Sequence, residues 1–383
     1  MRTLWSVIFL GLSLLSLRCY SQSDEQPLSS FKQREALRNQ FSAFLASEGL
    51  PAQLSGSKFL DYHSGIKKAY LFNGSFRFPF TLELRKRNSS GNHPFMHVLQ
   101  FTPEIHVRIF QNDPEYQDRS KPVRTPSYIP SISYYLSHQN WWKQPGPKKY
   151  LGIRALHHSN GEDGWEFSYP DSTVNIYDGS FSESLFFQFF AGAWLYQEQS
   201  ASSRKNKLLH PEKINKEYLF LNQIEQQRDQ FFFSAGYEWH PRVFANEKFY
   251  DTQLYGGNRI FCSLNLRRSF LHQSYVKSSE NWKATDGYWL EGQRLNLSVQ
   301  YITDLSYRSG SQIDNQKIAL ADASKRLNVT LNFYQQLLQN RFLAAFAQLG
   351  YHGSDPYNIY FQQSQFVARI GLAFGFLEYE SAH

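Results

Sequence analysis

His157 and Ser159 stand two positions apart in the stretch LGIRALHHSNGEDG, residues 151–164. A neutral imidazole takes up a proton near neutral pH, and a serine hydroxyl that gives one up is a nucleophile. On a β-strand, residues i and i+2 leave the same face roughly 6.5–7 Å apart at the backbone, so the ring can reach the hydroxyl. Leu151, Ile153 and Ala155 precede the pair at the same parity, and Gly152, Arg154, Leu156, His158 and Asn160 form the other row. If the apolar row faces lipid, His157 and Ser159 face it too, where polar side chains are costly and mark function. A nucleophile in that place meets acyl esters in the plane of a membrane. The plainer alternative is a strand end at the interface, where His, Ser and Asn are common loop residues, and His158 reads as an inward-facing or loop histidine.

The elements that would carry such a pair are long alternating strands. In HVLQFTPEIHVRIFQ, Leu99, Phe101, Ile105, Val107 and Ile109 alternate with Gln100, Thr102, Glu104, His106 and Arg108. Leu295, Leu297, Val299 and Tyr301 do so with Arg294, Asn296, Ser298 and Gln300, as do Leu327, Val329, Leu331 and Phe333 with Arg326, Asn328, Thr330 and Asn332. Ile260, Cys262, Leu264 and Leu266 oppose Ser263, Asn265 and Arg267, and QFVARIGLAFGF puts Phe366, Ala368, Ile370, Leu372, Phe374 and Phe376 in one row. Several runs reach about nine residues, the length a tilted strand needs to cross a bilayer, whereas strands of soluble sandwiches average about five or six. The expected fold is all-β, a transmembrane antiparallel barrel with an apolar exterior and a polar lumen. The polar stretches NDPEYQDRSKP, SNGEDGWEFSYPDSTVNIYDGS and QEQSASSRKNKLLHPEKINKE are expected as long loops on one side of it.

Composition agrees. The 383 residues are 17% aromatic with a mean hydropathy of −0.52, so apolar residues are interspersed with polar ones. No stretch beyond the leader approaches the roughly 20 apolar residues of a membrane-spanning helix. The net charge of +7 comes from scattered Lys and Arg, which gives nucleic-acid binding little support. The leader, MRTLWSVIFLGLSLLSLRCYSQSD, has Arg2 before an apolar run and small or polar residues after it, as in a cleaved export signal over residues 1–21. Cys19 would suit a lipoprotein, but Arg18 before it fits a lipid-attachment site poorly. Removal of the leader leaves Cys262 alone, so no disulfide framework is expected. Residues 22–58 read as an N-terminal arm in which Leu37, Phe41, Phe44 and Leu45 fall at helical spacing, followed by the barrel over 59–383. QNWWKQPGPKKY reads as an interfacial turn and SRKNKLLHPEK as a solvated basic loop, while His63, His93 and His97 lack metal-ligand spacing.

HHSNG after a strand, within a long alternating exported chain, resembles the outer membrane phospholipase A family, with His157 and Ser159 on the family's base and nucleophile. RSKPVRTPSYIP resembles a family loop and strand and sets Ser120 on a calcium-binding position. GSFSESLFF resembles a Ser-x-Ser-x-Asn segment and sets Ser180 on another. The end of the chain, DPYNIYFQQSQFVARIGLAFGF, resembles the closing hairpin, so the likeness runs loosely from about Phe59 to Phe376. It implies a barrel of about twelve strands in the bacterial outer membrane. It implies calcium-dependent hydrolysis of acyl esters in phospholipids and lysophospholipids, and an active homodimer whose partner completes the calcium site.

The chain also departs from the family pattern. The third catalytic residue, an asparagine that orients the histidine, falls on Ser184, with Asn175 and Glu183 as rivals. The acidic calcium ligand falls on Gly164, leaving Glu162 or Asp163 to replace it, since calcium takes oxygen ligands from flexible loops. LEYESAH follows Phe376, where the family ends on an aromatic residue. A non-catalytic barrel, either a pore or an inactive relative, is therefore the alternative function.

Overall fold

The structure is a computed structural model. It describes residues 41, 52–55, 62–63, 70–77, 80–83, 95–110, 123–143, 147–160, 183–200, 220–241, 256–278, 281–309, 317–337, 343–354 and 364–374. The first strands are β1 (Ala52–Ser55), β2 (Tyr62–His63), β3 (Tyr70–Arg77), β4 (Phe80–Glu83), β5 (Phe95–Thr102) and β6 (Glu104–Phe110). Next come β7 (Val123–Tyr128), β8 (Ser131–His138), a short helix α1 (Gln139–Lys143) and β9 (Lys148–Asn160). The longest follow: β10 (Glu183–Ser200), β11 (Phe220–Trp239), β12 (Asn258–Ser278) and β13 (Asn281–Ile302). Among the described residues β14 (Ser306–Ser309) pairs with β15 (Lys317–Leu320) alone, and β16 (Leu327–Gln336), β17 (Leu343–His352) and β18 (Gln365–Phe374) close the series.

Every pairing among the described strands is antiparallel. From β9 the neighbours run β10, β11, β12, β13, β16, β17, β18, β1, β3, β6 and β7, and β7 pairs with β9 again. A second path leads from β9 through β8 and β5 to β4. It arises because β5 and β6 are parted by Pro103, and β7 and β8 by Ile129 and Pro130. Proline has no N–H to give to a ladder, so each run is interrupted there. Register survives the interruption, because Ser131 pairs with Leu156 on one side of it and Tyr128 with Ser159 on the other. Ala52–Ser55, expected in the arm, already belong to the sheet, between β18 and β3.

The alternation sorts polarity inside out. Asn265 and Arg267 of β12, Arg294 and Asn296 of β13, Asn328 and Asn332 of β16 and Arg369 of β18 are buried. Their apolar neighbours are exposed, among them Leu266, Leu331, Phe333, Leu349, Phe366, Ile370, Leu372 and Phe374. A wall with apolar side chains outside and hydrogen-bonded polar ones within is the arrangement of a membrane-spanning barrel. The polar residues satisfy one another along the inner wall, from strand to neighbouring strand. Gln348 donates to Asn332 at 2.8 Å, Arg369 to Gln348 at 3.0 Å and Arg294 to Asn265 at 3.0 Å. Gln53 of β1 donates to the Tyr334 hydroxyl of β16, tying the first strand to a distant one.

One expectation about the loops needs correction. Successive antiparallel strands leave alternate ends of the sheet, so the connections after β6 and after β9 share an end. The connection after β10, which holds the basic stretch, leaves from the other. At that second end β13 is paired with β12 down to Asn281 but with β16 only from Gln293, so the longest strands extend past their neighbours there.

A candidate active site on the outer face of β9

β9 runs from Lys148 to Asn160 and carries both rows predicted from its sequence. Leu151 and Ile153 are 49% and 48% exposed on the outer face. His157 and Ser159, partly exposed, continue that row. Leu156 and His158, in the other row, are buried. The outer face is thus apolar until the last turn of the strand and polar at its end.

Three neighbours fix the backbone at that end. The N–H of His157 donates to the carbonyl of Pro130 at 3.0 Å, so the oxygen beside the proline break holds the strand where its partner changes from β8 to β7. Ser159 pairs with Tyr128 on β7, whose ring is exposed on the same outer face. On the other side β10 places Leu185 opposite His157, Ser184 opposite His158 and Glu183 opposite Ser159. Directly paired residues of an antiparallel ladder share a face. Ser184, expected beside His157, therefore stands in the row of His158, and Glu183 stands in the row of the candidate pair. A sequence match does not give this cross-strand register, which separates the two neighbouring candidates.

Behind the pair, the inner face of β9 is anchored by a hydrogen-bonded chain. Arg154 donates to Ser133 Oγ at 2.7 Å, to the Tyr135 hydroxyl at 3.0 Å and to Gln188 Oε1 at 3.3 Å. Gln188 in turn donates to Glu238 Oε2 at 2.7 Å. Glu238 Oε1 receives Arg259 Nη1 at 3.1 Å and lies 2.8 Å from His240 Nε2. The His240 ring stacks on Phe186 of β10 at 4.3 Å between centroids. A guanidinium with hydrogen bonds on three sides holds its strand far better than an exposed one, because the alternative is a buried unpaired charge. The sequence signal for this cluster, Glu238 and His240 at strand spacing in YEWHPR, was not recognised from the sequence.

Ser120, Glu162, Asp163, Asn175 and Ser180 lie outside the described residues, as do the export signal over 1–21 and Phe376. Glu162 follows Ser159 by three positions and Ser180 precedes Glu183 by three, so the connection between β9 and β10 leaves and returns at one paired position. No cluster of three or more His, Cys, Asp or Glu suited to a metal occurs among the described residues.

No family model matches this sequence, and no curated protein does. Among solved structures, outer membrane phospholipase A from Escherichia coli is similar over 87% of this chain and 97% of its own, with a TM-score of 0.42 and 10% identity. An active-site mutant of the same protein at pH 6.1 is similar over 90% of this chain and 96% of its own, with a TM-score of 0.44 and 10% identity. At 10% identity these are likenesses of chain path alone.

Proposed function

We propose that this chain is an outer-membrane esterase that cleaves acyl esters of phospholipids and lysophospholipids, with Ser159 as nucleophile and His157 as base. The supporting observation is that both residues continue the outward row of Leu151 and Ile153. A lipid ester lying against the wall would meet Ser159 without leaving the membrane. His157 takes the proton as Ser159 Oγ attacks the ester carbonyl, then returns it to the departing alcohol oxygen as the acyl-enzyme forms. Water, deprotonated by the same ring, attacks the acyl-enzyme, releasing a fatty acid and the free serine.

Glu183 is the residue proposed to orient His157, since it is paired with Ser159 and stands one step diagonally from the histidine. A carboxylate there fixes the ring tautomer and stabilises the imidazolium that forms. Ser120, Glu162 and Ser180 are proposed to hold calcium, because hydroxyl and carboxylate oxygens suit a hard cation. When bound, calcium adds positive charge near the developing oxyanion, where one donor is typically worth about 3–4 kcal/mol of barrier. Dimerisation through the outer face is proposed to complete that site.

Detergent-refolded protein, assayed on phospholipid with calcium, with chelator and as Ser159→Ala, tests the proposal. Hydrolysis in the first sample alone is the expected result. Equal rates in all three would overturn it.

A further inference from the structure

The outer face of the wall has a second polar end, at the rim opposite Ser159. β9 starts there with Lys148 and Lys149, and β8 finishes there with His138 before α1. Phe95, His97, Leu99 and Phe101 of β5 form one exposed or partly exposed row, and the residues between them are buried. Ile132, Tyr134, Leu136 and His138 of β8 form another. Lys149 continues the row of Leu151 and Ile153, since Tyr150 beside it is buried. Phe95 pairs with His138 and Leu136 with Leu151, so the rows of these strands share the outer face.

At this rim the polar side chains are held as donors. The N–H of Asn140 donates to His138 Nδ1 at 3.1 Å, so the neutral ring carries its proton on Nε2. The Tyr134 hydroxyl is hydrogen-bonded to His97 Nδ1 at 2.6 Å, which leaves Nε2 as that ring's second polar position. Phe95 meets the His138 ring edge-on at 5.1 Å between centroids, and the exposed Trp141 of α1 lies 5.9 Å from it. Ser137 donates to the Lys149 carbonyl at 2.5 Å and ties the two strand ends together. None of β5, β8, α1 and β9 contains an aspartate or a glutamate. The rim thus gathers an ammonium and several N–H and O–H groups at the edge of an apolar wall, with no carboxylate from its own elements. Beside Leu151 and Lys149, β10 sets Ala191 and Ala193, small side chains that keep the wall low there.

We propose that this rim binds the phosphate of an anionic phospholipid, with Lys149, His97 and His138 as its donors and the acyl chains lying along Leu136, Leu151 and the two alanines. Two observations carry it: cationic and imidazole groups share one lipid-facing patch, and the His138 tautomer is fixed by the backbone. Polar side chains on a lipid-facing row are costly without a use. An aromatic girdle accounts for Phe95 and Trp141 but not for two histidines and a lysine. Headgroup phosphates lie at the depth of such a rim, where they attract basic side chains. The length of β9 separates this site from Ser159, and it stands whether or not Ser159 is a nucleophile.

The test uses the full chain carrying Ser159→Ala, so that no bound lipid is hydrolysed, refolded in a neutral detergent with folding judged by heat-modifiable mobility on gels. Native mass spectrometry then counts phosphatidylglycerol or phosphatidylcholine bound per protein as each is titrated. Phosphatidylglycerol should bind at least about tenfold more tightly than phosphatidylcholine. Lys149→Gln and His138→Phe should each bring the two lipids within about twofold of one another, and Lys149→Arg should keep the preference. His97→Phe gives the same comparison should either variant miss the folded mobility. Glycerol phosphate in large excess should leave the lipid in place. Equal affinities in the parent, or an undiminished preference in the folded variants, overturns the site. Displacement by glycerol phosphate overturns the assignment to a lipid, because the acyl chains would then contribute nothing.

Discussion

The two faces of β9 use adjacent residues for opposite purposes. His157 lies in the exposed row with Leu151 and Ile153, and His158 lies in the buried row with Leu156. Outward, the last turn of the strand is polar where a lipid-facing wall has no structural need of polarity. Inward, polarity is what the lumen requires, and Arg154 meets three partners there. The same residue type thus carries a functional argument on one face and a structural one on the other, and only parity separates them.

Substitutions can break this comparison. On the outer face, Ser159→Ala or His157→Ala should lower phospholipid hydrolysis by at least about 10³-fold, since members of a nucleophile–base pair act as a unit, while heat-modifiable mobility stays unchanged. Gly152→Val tests the inner face. Its Cβ would fall within 2.2 Å of the Phe190 ring, which is itself packed against Tyr135 and Tyr150, so about 3 kcal/mol of stability should be lost in denaturant titration. Glu183→Gln should cost about 10²-fold in kcat at an unchanged fold, as expected of a carboxylate that orients the base. His158→Ala should cost about 1–3 kcal/mol of stability and leave hydrolysis of the folded protein largely intact. Ser184→Ala should change the rate by no more than about twofold. A larger effect from Ser184→Ala than from Glu183→Gln would return the orienting role to Ser184.

Much of the fold was legible because a barrel in lipid writes its architecture into every second residue. The rows of Leu295 to Tyr301 and of Leu327 to Phe333 needed no neighbour to be read, since each strand must be apolar on one side by itself. The outward place of His157 and Ser159 followed from the same rule. Relations between strands were not legible. Ser184 and Glu183 differ by one position, and only the pairing of β9 with β10 separates them. The connection after β10 was assigned to the wrong end because loop composition says nothing about which end a strand leaves. The hydrogen bond from His157 to Pro130 depends on a proline break more than twenty residues earlier in the chain. The fit of Tyr150 over Gly192 and of Phe190 over Gly152 likewise depends on a partner from the neighbouring strand.

The most direct test of the central claim is labelling of Ser159 by a long-alkyl fluorophosphonate in detergent micelles, read by mass spectrometry of the peptide. The expected result is modification of Ser159 that disappears in His157→Ala and persists in His158→Ala. Labelling that instead follows His158, or that needs a short water-soluble reagent able to enter the lumen, would contradict the account.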